Sequence, residues 1–418
     1  MKGTLVMYRR VRLPLRTIGV LREFTIRSYS TQPELQNALS ISPPTVFRAV
    51  EQLRELGILK EGDGIPSEAR GRPPIALELK SNGLCVISLV IRSDKSWIYL
   101  VDAHGNVHHS NTIEISGDDP YEEALSLYTE EIEKLAKLAC ESFSVTAGVG
   151  ISFGGSVDST TGLLTKPSRF PDWRGRPLME EISERTDFPC KVDNDTIALT
   201  RAVLWFSPAD LPSSFLLLSV DFGLGVGFCF DGQIYTGENR RVSSGLAHTA
   251  AFGWSEEKCH CGRVGCLEMV LSIPGVISQA IENGVALIDT RNPRSIMPIE
   301  TLESLAKEGE GSEREILIRT AQRLGVVGWT VAHVLDLPMI VFAGGLIASS
   351  EVLWMGLQEE LKRQAEYSEK PLIWMRLHEV VRSNHPEALA AAAVALDGLY
   401  QSRELVVFES NNTTTVGS

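Results

Sequence analysis

The sequence predicts an α/β protein with a two-lobed body and a small N-terminal all-α head that carries a two-stranded wing. From residue 84 onward, apolar strand segments alternate with helical segments and several strands end in glycines, as in α/β folds that bind ligands at their strand ends. Two similar strand hairpins, at 85–107 and 215–235, indicate two related lobes. The predicted boundaries are 1–80 for the head, 81–408 for the body and 409–418 for a disordered polar tail.

Composition limits the class of protein. The 418 residues are 43% hydrophobic and 7% aromatic, which is enough for two or three domains with full cores. No apolar run approaches the ~20 residues that cross a bilayer, and the N-terminus lacks the features of a signal peptide. Seven cysteines, an odd number, argue against a disulfide framework. We therefore expect a cytoplasmic protein with reduced thiols and no membrane partner.

The head has the pattern of a winged helix-turn-helix. Apolar residues recur at helical spacing over residues 13–28, and capping residues open two further helices at Thr31 and Ser42. Short strands at 58–59 and 75–79 would form the wing. Two short helices joined by a tight turn after another helix are typical of DNA-binding modules.

The charge of the head favours a polyanionic partner. The net charge is +5 through Arg72 and −18 over the remaining residues. Several residues of the third helix lie on the side opposite its apolar face, where bases or phosphates are within reach. An extended Arg-Gly-Arg-Pro segment in the wing suits an A·T-rich minor groove. The predicted DNA contacts are Ser42, Pro43, Thr45, Arg48, Arg70 and Arg72. The alternatives are an ordinary helix surface and a flexible solvated loop.

Residues 258–268, KCHCGRVGCLE, form a C-x-C-x4-C array with a histidine between its first two cysteines. Such a cluster fits a metal site, a disulfide or a redox pair. Nothing else in the composition favours the oxidising surroundings that a disulfide needs. A redox C-x-C pair would leave Cys266 without a role.

The array resembles the signature of the ROK family of sugar kinases and repressors. The matching motif is a histidine eleven positions before C-x-C-G-x-x-G-C-x-E, and it consists here of His248, Cys259, Cys261, Gly262, Gly265, Cys266 and Glu268. The resemblance covers nearly all of residues 13–400 and implies a sugar-kinase/actin-like body. The resemblance includes the helix-turn-helix of the family's repressor branch, which the kinases lack. The chain therefore resembles xylose, glucose and N-acetylglucosamine repressors.

The resemblance implies a structural zinc site with no open coordination position. The implied ligands are His248, Cys259, Cys261 and Cys266. Gly262 and Gly265 would let the loop fold back so that the last cysteine reaches the ion. His260 is expected to be a bystander, because the family pattern assigns the fourth ligand to His248.

The resemblance also implies a sugar site. The matching positions are Gly155, Asn194, Asp195, His248 and Glu268, and His248 would present one ring nitrogen to the sugar and one to zinc. In the kinases the aspartate deprotonates a sugar hydroxyl. Without ATP, Asp195 is expected only to accept a hydrogen bond, so we predict no catalytic residue. The alternative is that Asp195 merely favours the start of a helix.

The chain departs from the family pattern at both phosphate loops. The first, D-x-G-G-T-K in the family, is VIRSDK at 90–95, and the second, G-T-G-x-G-G-G, is DFGLGVG at 221–227. Side chains there would keep backbone amides away from a phosphate, so neither ATP binding nor kinase activity is expected.

Two further departures concern the effector. Gly245 replaces a sugar-contacting glutamate, and Arg169 replaces a sugar-binding asparagine. Together they make the site more positive by two charges, which favours an anionic ligand. A bulkier ligand, or none, is the alternative.

The leading hypothesis is a sugar-responsive transcriptional repressor of carbohydrate genes that binds double-stranded operator DNA as a homodimer or tetramer. The alternatives are an atypical sugar kinase with a DNA-binding head and a ligand-independent DNA-binding scaffold.

Overall fold

The computed structural model describes residues 8–26, 29–62, 75–165, 169–238, 242–251, 253–292, 295–366 and 371–408. The predicted DNA contacts Arg70 and Arg72, and the predicted tail at 409–418, lie outside the described residues. The chain divides into two compact units, one comprising Met1–Ala209 with Ser383–Ser418 and the other Asp210–Arg382.

The secondary structure alternates as the sequence predicts. In chain order, the strands are β1 (Tyr8–Arg12), β2 (Tyr29–Ser30), β3 (Leu59–Glu61), β4 (Leu77–Leu79), β5 (Leu84–Ile91), β6 (Ser96–Asp102), β7 (Val107–Ile113), β8 (Val145–Phe153), β9 (Val157–Asp158), β10 (Leu163–Leu164), β11 (Cys190–Asn194), β12 (Phe215–Val220), β13 (Leu224–Phe230), β14 (Gln233–Tyr235), β15 (Met339–Ala343), β16 (Ile373–Arg376) and β17 (Glu404–Phe408). The α-helices are α1 (Leu15–Ile26), α2 (Gln32–Leu39), α3 (Pro43–Glu55), α4 (Tyr121–Ser142), α5 (Leu178–Thr186), α6 (Asp195–Phe206), α7 (Val242–Gly245), α8 (Glu268–Leu271), α9 (Ile273–Glu282), α10 (Met297–Glu308), α11 (Ser312–Val334), α12 (Gly345–Ser349), α13 (Glu351–Ala365), α14 (Leu377–Val381) and α15 (Pro386–Ser402).

The head is a winged helix-turn-helix. Helix α3 packs against α1 and α2, and the small sheet has the order β2-β4-β3. A capping box opens α2, since the Thr31 hydroxyl accepts from the backbone N–H of Glu34 and the Glu34 carboxylate accepts from that of Thr31. The predicted helices and the two predicted wing strands are confirmed, and β2 adds a third strand that the sequence did not predict.

Helix α3 begins where predicted, but its cap differs from the expectation. Ser42 occupies the N-cap position without a side-chain bond to the backbone. Pro43 and Pro44 have no N–H to offer in the first turn, and the N–H of Thr45 donates to the Ser42 carbonyl at 2.9 Å. The Ser42 hydroxyl instead lies 2.9 Å from the Thr45 hydroxyl.

The body part of the first unit is a mixed sheet with the order β1-β17-β8-β5-β6-β7, and β11 also pairs with β8. The neighbours β5, β8 and β11 are parallel. All eight residues of β5 are buried, as expected for a central strand covered on both faces. Helices α4 and α15 both contact β5 and β8.

Strand β1 belongs to the sheet of the body, although residues 1–80 are predicted to form the head. It pairs antiparallel with β17, from Tyr8 opposite Phe408 to Arg12 opposite Glu404. The chain therefore contributes a strand to the body sheet before it forms the head. The head is thus connected to the body on both sides, by β1 before it and by β5 after it.

The second unit contains a five-stranded sheet with the order β14-β13-β12-β15-β16, in which β12, β15 and β16 are parallel. The long helices α11 and α13 pack against each other, and α11 also contacts β12 and β15. No helix in the described parts of the chain combines the length and the apolar composition that a bilayer span requires.

The effector candidates Gly155, Asn194 and Asp195 lie at the carboxyl ends of the parallel strands β8 and β11, and a close backbone approach marks the ends of β12 and β15 in the second unit. Gly344 directly follows β15 with φ 96°, and a Cβ there would lie 2.3 Å from the Val220 carbonyl oxygen at the end of β12. Only glycine tolerates both conditions. This close approach fixes the ends of β12 and β15 side by side.

Candidate metal centre, effector positions and DNA-binding surface

Four side chains of the second unit form a cluster that can hold a metal ion. The ligand atoms of His248, Cys259, Cys261 and Cys266 lie within 4.8 Å of one another. The Sγ atoms of Cys261 and Cys266 are 3.6 Å apart, and the Cys259 Sγ lies 3.6 Å from the His248 Nδ1. A disulfide requires about 2.05 Å between sulfurs, whereas ligands on one tetrahedral zinc ion are separated by about 3.5–3.8 Å. The separations therefore fit four-coordinate metal binding.

Two glycines fold the cysteine loop back on itself. Gly262 has φ 93° and Gly265 has φ 70°, both in the left-handed region. An antiparallel bridge between Ala250 and Cys266 then places the last cysteine beside the segment that follows His248. The reversal of the loop at both glycines is as predicted.

The thiols of the cluster differ in acidity. Burial raises the pKa of Cys266 to about 12 and also raises that of Cys259. The pKa of Cys261 is lowered, because the backbone N–H of Arg263 donates to its sulfur. Three adjacent thiolates repel one another without a cation, whereas the positive charge of a bound divalent ion offsets this repulsion and favours the deprotonated thiols.

His260 links the metal cluster to Glu268, a role that the sequence analysis did not assign to it. Its Nδ1 lies 3.7 Å from the Cys259 Sγ and 3.1 Å from the Glu268 Oε1. The other oxygen of Glu268 accepts from the backbone N–H of Leu224 at 3.4 Å. The predicted effector-binding carboxylate is thus tied to the cysteine loop on one side and to the second glycine loop on the other.

The carboxylate of Asp221 accepts hydrogen bonds from two backbone amides, one in the second glycine loop and one at the start of α12. Its Oδ1 accepts from the N–H of Phe222 at 2.9 Å, and its Oδ2 accepts from the N–H of Gly345 at 3.0 Å. Gly345 is the first residue of α12, the kind of position at which amides can receive a phosphate. An internal anion takes that role here, a feature that sequence analysis missed because the two residues are 124 positions apart.

In the first unit, three predicted effector residues form one hydrogen-bonded group where β8 and β11 end. The Asn194 side-chain amide donates to the Gly155 carbonyl at 3.1 Å and to the Asp195 Oδ1 at 2.9 Å. The N–H of Thr196 donates to the Asp195 Oδ1 at 2.7 Å and to the Asn194 Oδ1 at 3.1 Å. Asn194 is therefore the N-cap of α6, and Asp195 is its first residue.

A buried ion-pair network fixes the junction between β11 and α6. The Arg201 guanidinium donates to Asp193 Oδ2 from Nη2 at 2.8 Å and from Nε at 3.1 Å, and it also contacts Asp397 on α15. Asp193 directly precedes the N-cap Asn194. Such paired, buried charges fix geometry, because loss of one partner leaves the other uncompensated.

The first phosphate-loop equivalent, residues 90–95, contains a tight turn at 92–95 that a backbone hydrogen bond closes. The N–H of Arg92 donates to the Lys95 carbonyl at 3.2 Å, and the Arg92 Nε lies 3.6 Å from the Asp94 Oδ1. Arg169 is half-buried beside Phe170, whose ring packs 4.8 Å from that of Phe153 at the end of β8. The candidates Gly155, Arg169, Asn194 and Asp195 belong to the first unit, whereas His248 and Glu268 belong to the second.

The start of α3 presents the described DNA-contact candidates. Ser42, Pro43 and Arg48 are exposed and Thr45 is half-buried. The Arg48 Nε donates to the Pro44 carbonyl at 3.2 Å, which holds the guanidinium along the helix. The opposite face, including Val46 and Val50, is buried in the head.

Comparison with known sequences identifies the family. The sequence profile of the ROK family matches residues 86–397, about three quarters of the chain. The chain belongs to the ROK family. It is 23% identical over 352 residues to the xylose repressor of Caldicellulosiruptor bescii, covering 83% of this chain and 87% of that protein. It is 19% identical over 383 residues to the DNA-binding transcriptional repressor Mlc of Escherichia coli, covering 89% and 90%.

Solved ROK structures share the fold. A ROK family transcriptional regulator, a homolog of the E. coli MLC protein, superposes with a TM-score of 0.72 at 21% identity and covers 93% of this chain and 98% of its own. A ROK hexokinase from Thermus thermophilus superposes with a TM-score of 0.62 at 20% identity, covering 76% and 99%. The regulator fold therefore extends over more of this chain than the kinase fold does.

Gly245, which stands where the ROK pattern has a glutamate, is exposed in the second unit. Gly245 ends α7 with helical torsion angles, and a Cβ placed on it would meet no atom within 4 Å.

Proposed function

We propose that this ROK protein is a sugar-responsive transcriptional repressor that acts in the cytoplasm. The observation that carries the proposal is the joining of a winged helix-turn-helix to a ROK body in one chain. The relatives whose length it matches almost fully are named as repressors. The body would sense a sugar-like effector and the head would bind an operator.

We further propose that the protein has no kinase activity. The Asp221 carboxylate accepts hydrogen bonds from the amides of Phe222 and Gly345, and the first loop carries the Asp94 carboxylate, 3.6 Å from the Arg92 Nε. An incoming ATP phosphate would meet carboxylates instead of free amides. The expected result is no ADP release above background with any sugar of a neutral, amino, acidic and phosphorylated panel. Sugar-dependent turnover would establish the atypical kinase instead.

The metal proposed for the cysteine cluster is zinc. Three thiolates and one imidazole at tetrahedral separations are the donor set that structural zinc prefers, and they leave no open position for catalysis. Bound zinc would neutralise the clustered sulfurs and hold the loop that carries His260 and precedes Glu268.

We propose that the effector is a sugar-like molecule that hydrogen-bonds to polar groups of the body. The proposed residues are Gly155, Arg169, Asn194 and Asp195 of the first unit and His248 and Glu268 of the second. The carboxylates would accept hydrogen bonds from hydroxyls. Arg169 would favour an effector that carries a carboxylate or phosphate.

DNA binding is assigned to the head and to a two-fold homodimer, because one helix-turn-helix contacts only a short half-site. Arg48→Ala is expected to weaken binding about tenfold or more, since it removes an exposed guanidinium from the start of α3. Arg70→Ala with Arg72→Ala should weaken binding mainly to sites with an A·T-rich flank. Fluorescence anisotropy with an operator selected from random duplexes measures both effects.

The matched control for these variants is Arg185→Ala. Arg185 is an exposed arginine on α5 of the body, 3.0 Å from Glu122, and its loss removes the same charge at a distance from the head. Unchanged operator affinity in both the Arg48 variant and the double variant would place the DNA interface elsewhere.

A further inference from the structure

The recognition helix α3 carries an exposed apolar patch at its start. Phe47 is 54% exposed, and Pro43 and Pro44 beside it are also exposed. Pro43 and Phe47 are four residues apart and therefore share one face of the helix. This patch lies outside the buried face formed by Val46 and its neighbours, so packing within the described head does not explain it.

The start of α3 is poorly equipped to bind a DNA phosphate through its backbone. Helix N-termini bind anions with free N–H groups, but Pro43 and Pro44 have none. The next N–H, that of Thr45, donates to the Ser42 carbonyl, and the hydroxyls of Ser42 and Thr45 lie within hydrogen-bond distance of each other. This part of the helix instead offers apolar surface.

Thymine is the base that presents a methyl group in the major groove, and apolar side chains recognise it there by contact. We propose that Phe47 reads the 5-methyl group of a thymine in each operator half-site. This assignment rests on the proposed repressor function and adds to it a residue that determines sequence preference. Arg48, the next residue along the helix, supplies the charge that brings this surface to DNA.

The test combines a protein variant with a DNA variant that differs by one methyl group. The operator consensus is first selected from random duplexes with the full-length wild-type protein, and each thymine is then replaced singly by deoxyuridine. We expect one or two replacements in a half-site to weaken wild-type binding about 3- to 10-fold. For Phe47→Ala the same replacements should change affinity less than about 1.5-fold, because the ring that contacts the methyl is absent.

Leu15→Ala is the matched control, because Leu15 is an apolar residue of the same head that is 43% exposed on α1. It should keep the wild-type deoxyuridine profile. If Phe47→Ala keeps that profile, or if no thymine methyl affects wild-type binding, the proposal is overturned. A change in oligomeric state without a change in the profile would also overturn it, and would assign the ring to a protein contact. Failure to select any duplex would instead contradict the repressor function.

Discussion

Cys261→Ser is expected to release the metal and to destabilise the second unit by at least about 3 kcal/mol. The reason is that metal-binding free energy is partly folding free energy, and without the ion the remaining ligands would stay clustered with no cation between them. In a unit of this size such a loss corresponds to a fall in melting temperature of about 6–12 °C. Elemental analysis should find one zinc per wild-type chain and much less in the variant, and calorimetry measures the stability.

Cys140→Ser provides the matched control for the zinc prediction. Cys140 is a half-buried free cysteine of α4, outside the cluster, so the variant should keep both the zinc content and the melting temperature. Wild-type protein purified without zinc but with normal stability would contradict a structural metal. The same conclusion would follow if Cys261→Ser kept its full zinc content.

Sequence analysis correctly predicted the features that depend on interactions between residues close together in the chain. Thr31 and Glu34 form the capping box that their spacing indicates, and Gly262 and Gly265 have the positive φ that the cysteine loop requires. The alternation of strands and helices likewise predicted the α/β body. In each case the responsible residues lie within a few positions of one another.

The features that sequence analysis missed depend on residues far apart in the chain. Strand β1 pairs with β17 almost at the other end of the sequence, and no local pattern indicates which strand completes a sheet. The bond from Gly345 to Asp221 spans 124 positions, and the Arg201 contact with Asp397 spans 196. The aspartate at a phosphate-loop position where the family has glycine predicted that ATP would not bind. It did not predict that this carboxylate would accept a hydrogen bond from the first amide of α12.

Within the site, His260 shows a different limit of sequence analysis. The family pattern explains the metal ligands without it, so it was expected to be a bystander. In the structure its Nδ1 lies within 4 Å of both the Cys259 Sγ and the Glu268 carboxylate. The adjacency of His260 to two ligands was the available signal, but adjacency alone does not fix a side chain's direction.

Helix α6 provides a physical connection between the proposed effector residues and the head. Asp195 is its first residue, and near its other end the ring of Trp205 lies beneath the Arg22 guanidinium of α1, 5.6 Å from the ring centroid. Helix α1 in turn packs on α3. A ligand that favoured one position of α6 would therefore act on the helix that supports the proposed DNA-binding surface.

Asp195→Ala is expected to abolish the effector response and to leave ligand-free operator binding unchanged. The variant removes the proposed acceptor for effector hydroxyls, while Asn194 still caps α6 through its 3.1 Å bond from the Thr196 N–H. Wild-type protein should show coupling of about 1–3 kcal/mol, equivalent to about 5- to 150-fold in operator affinity. Because coupling is reciprocal, operator DNA should change effector affinity by the same factor.

The measurement is a thermal-shift screen of neutral, amino, acidic and phosphorylated sugars, followed by operator anisotropy with each sugar that shifts the melting temperature. Glu184→Ala, which removes an exposed carboxylate from α5 in the same unit, should respond like wild type. Arg169→Ala should lose the response only if the active sugar is anionic, since a neutral sugar gains little from a guanidinium. A panel that shifts neither melting temperature nor operator affinity of wild-type protein would contradict sugar sensing and favour the scaffold. An Asp195→Ala variant with a full response would instead place the effector on other residues.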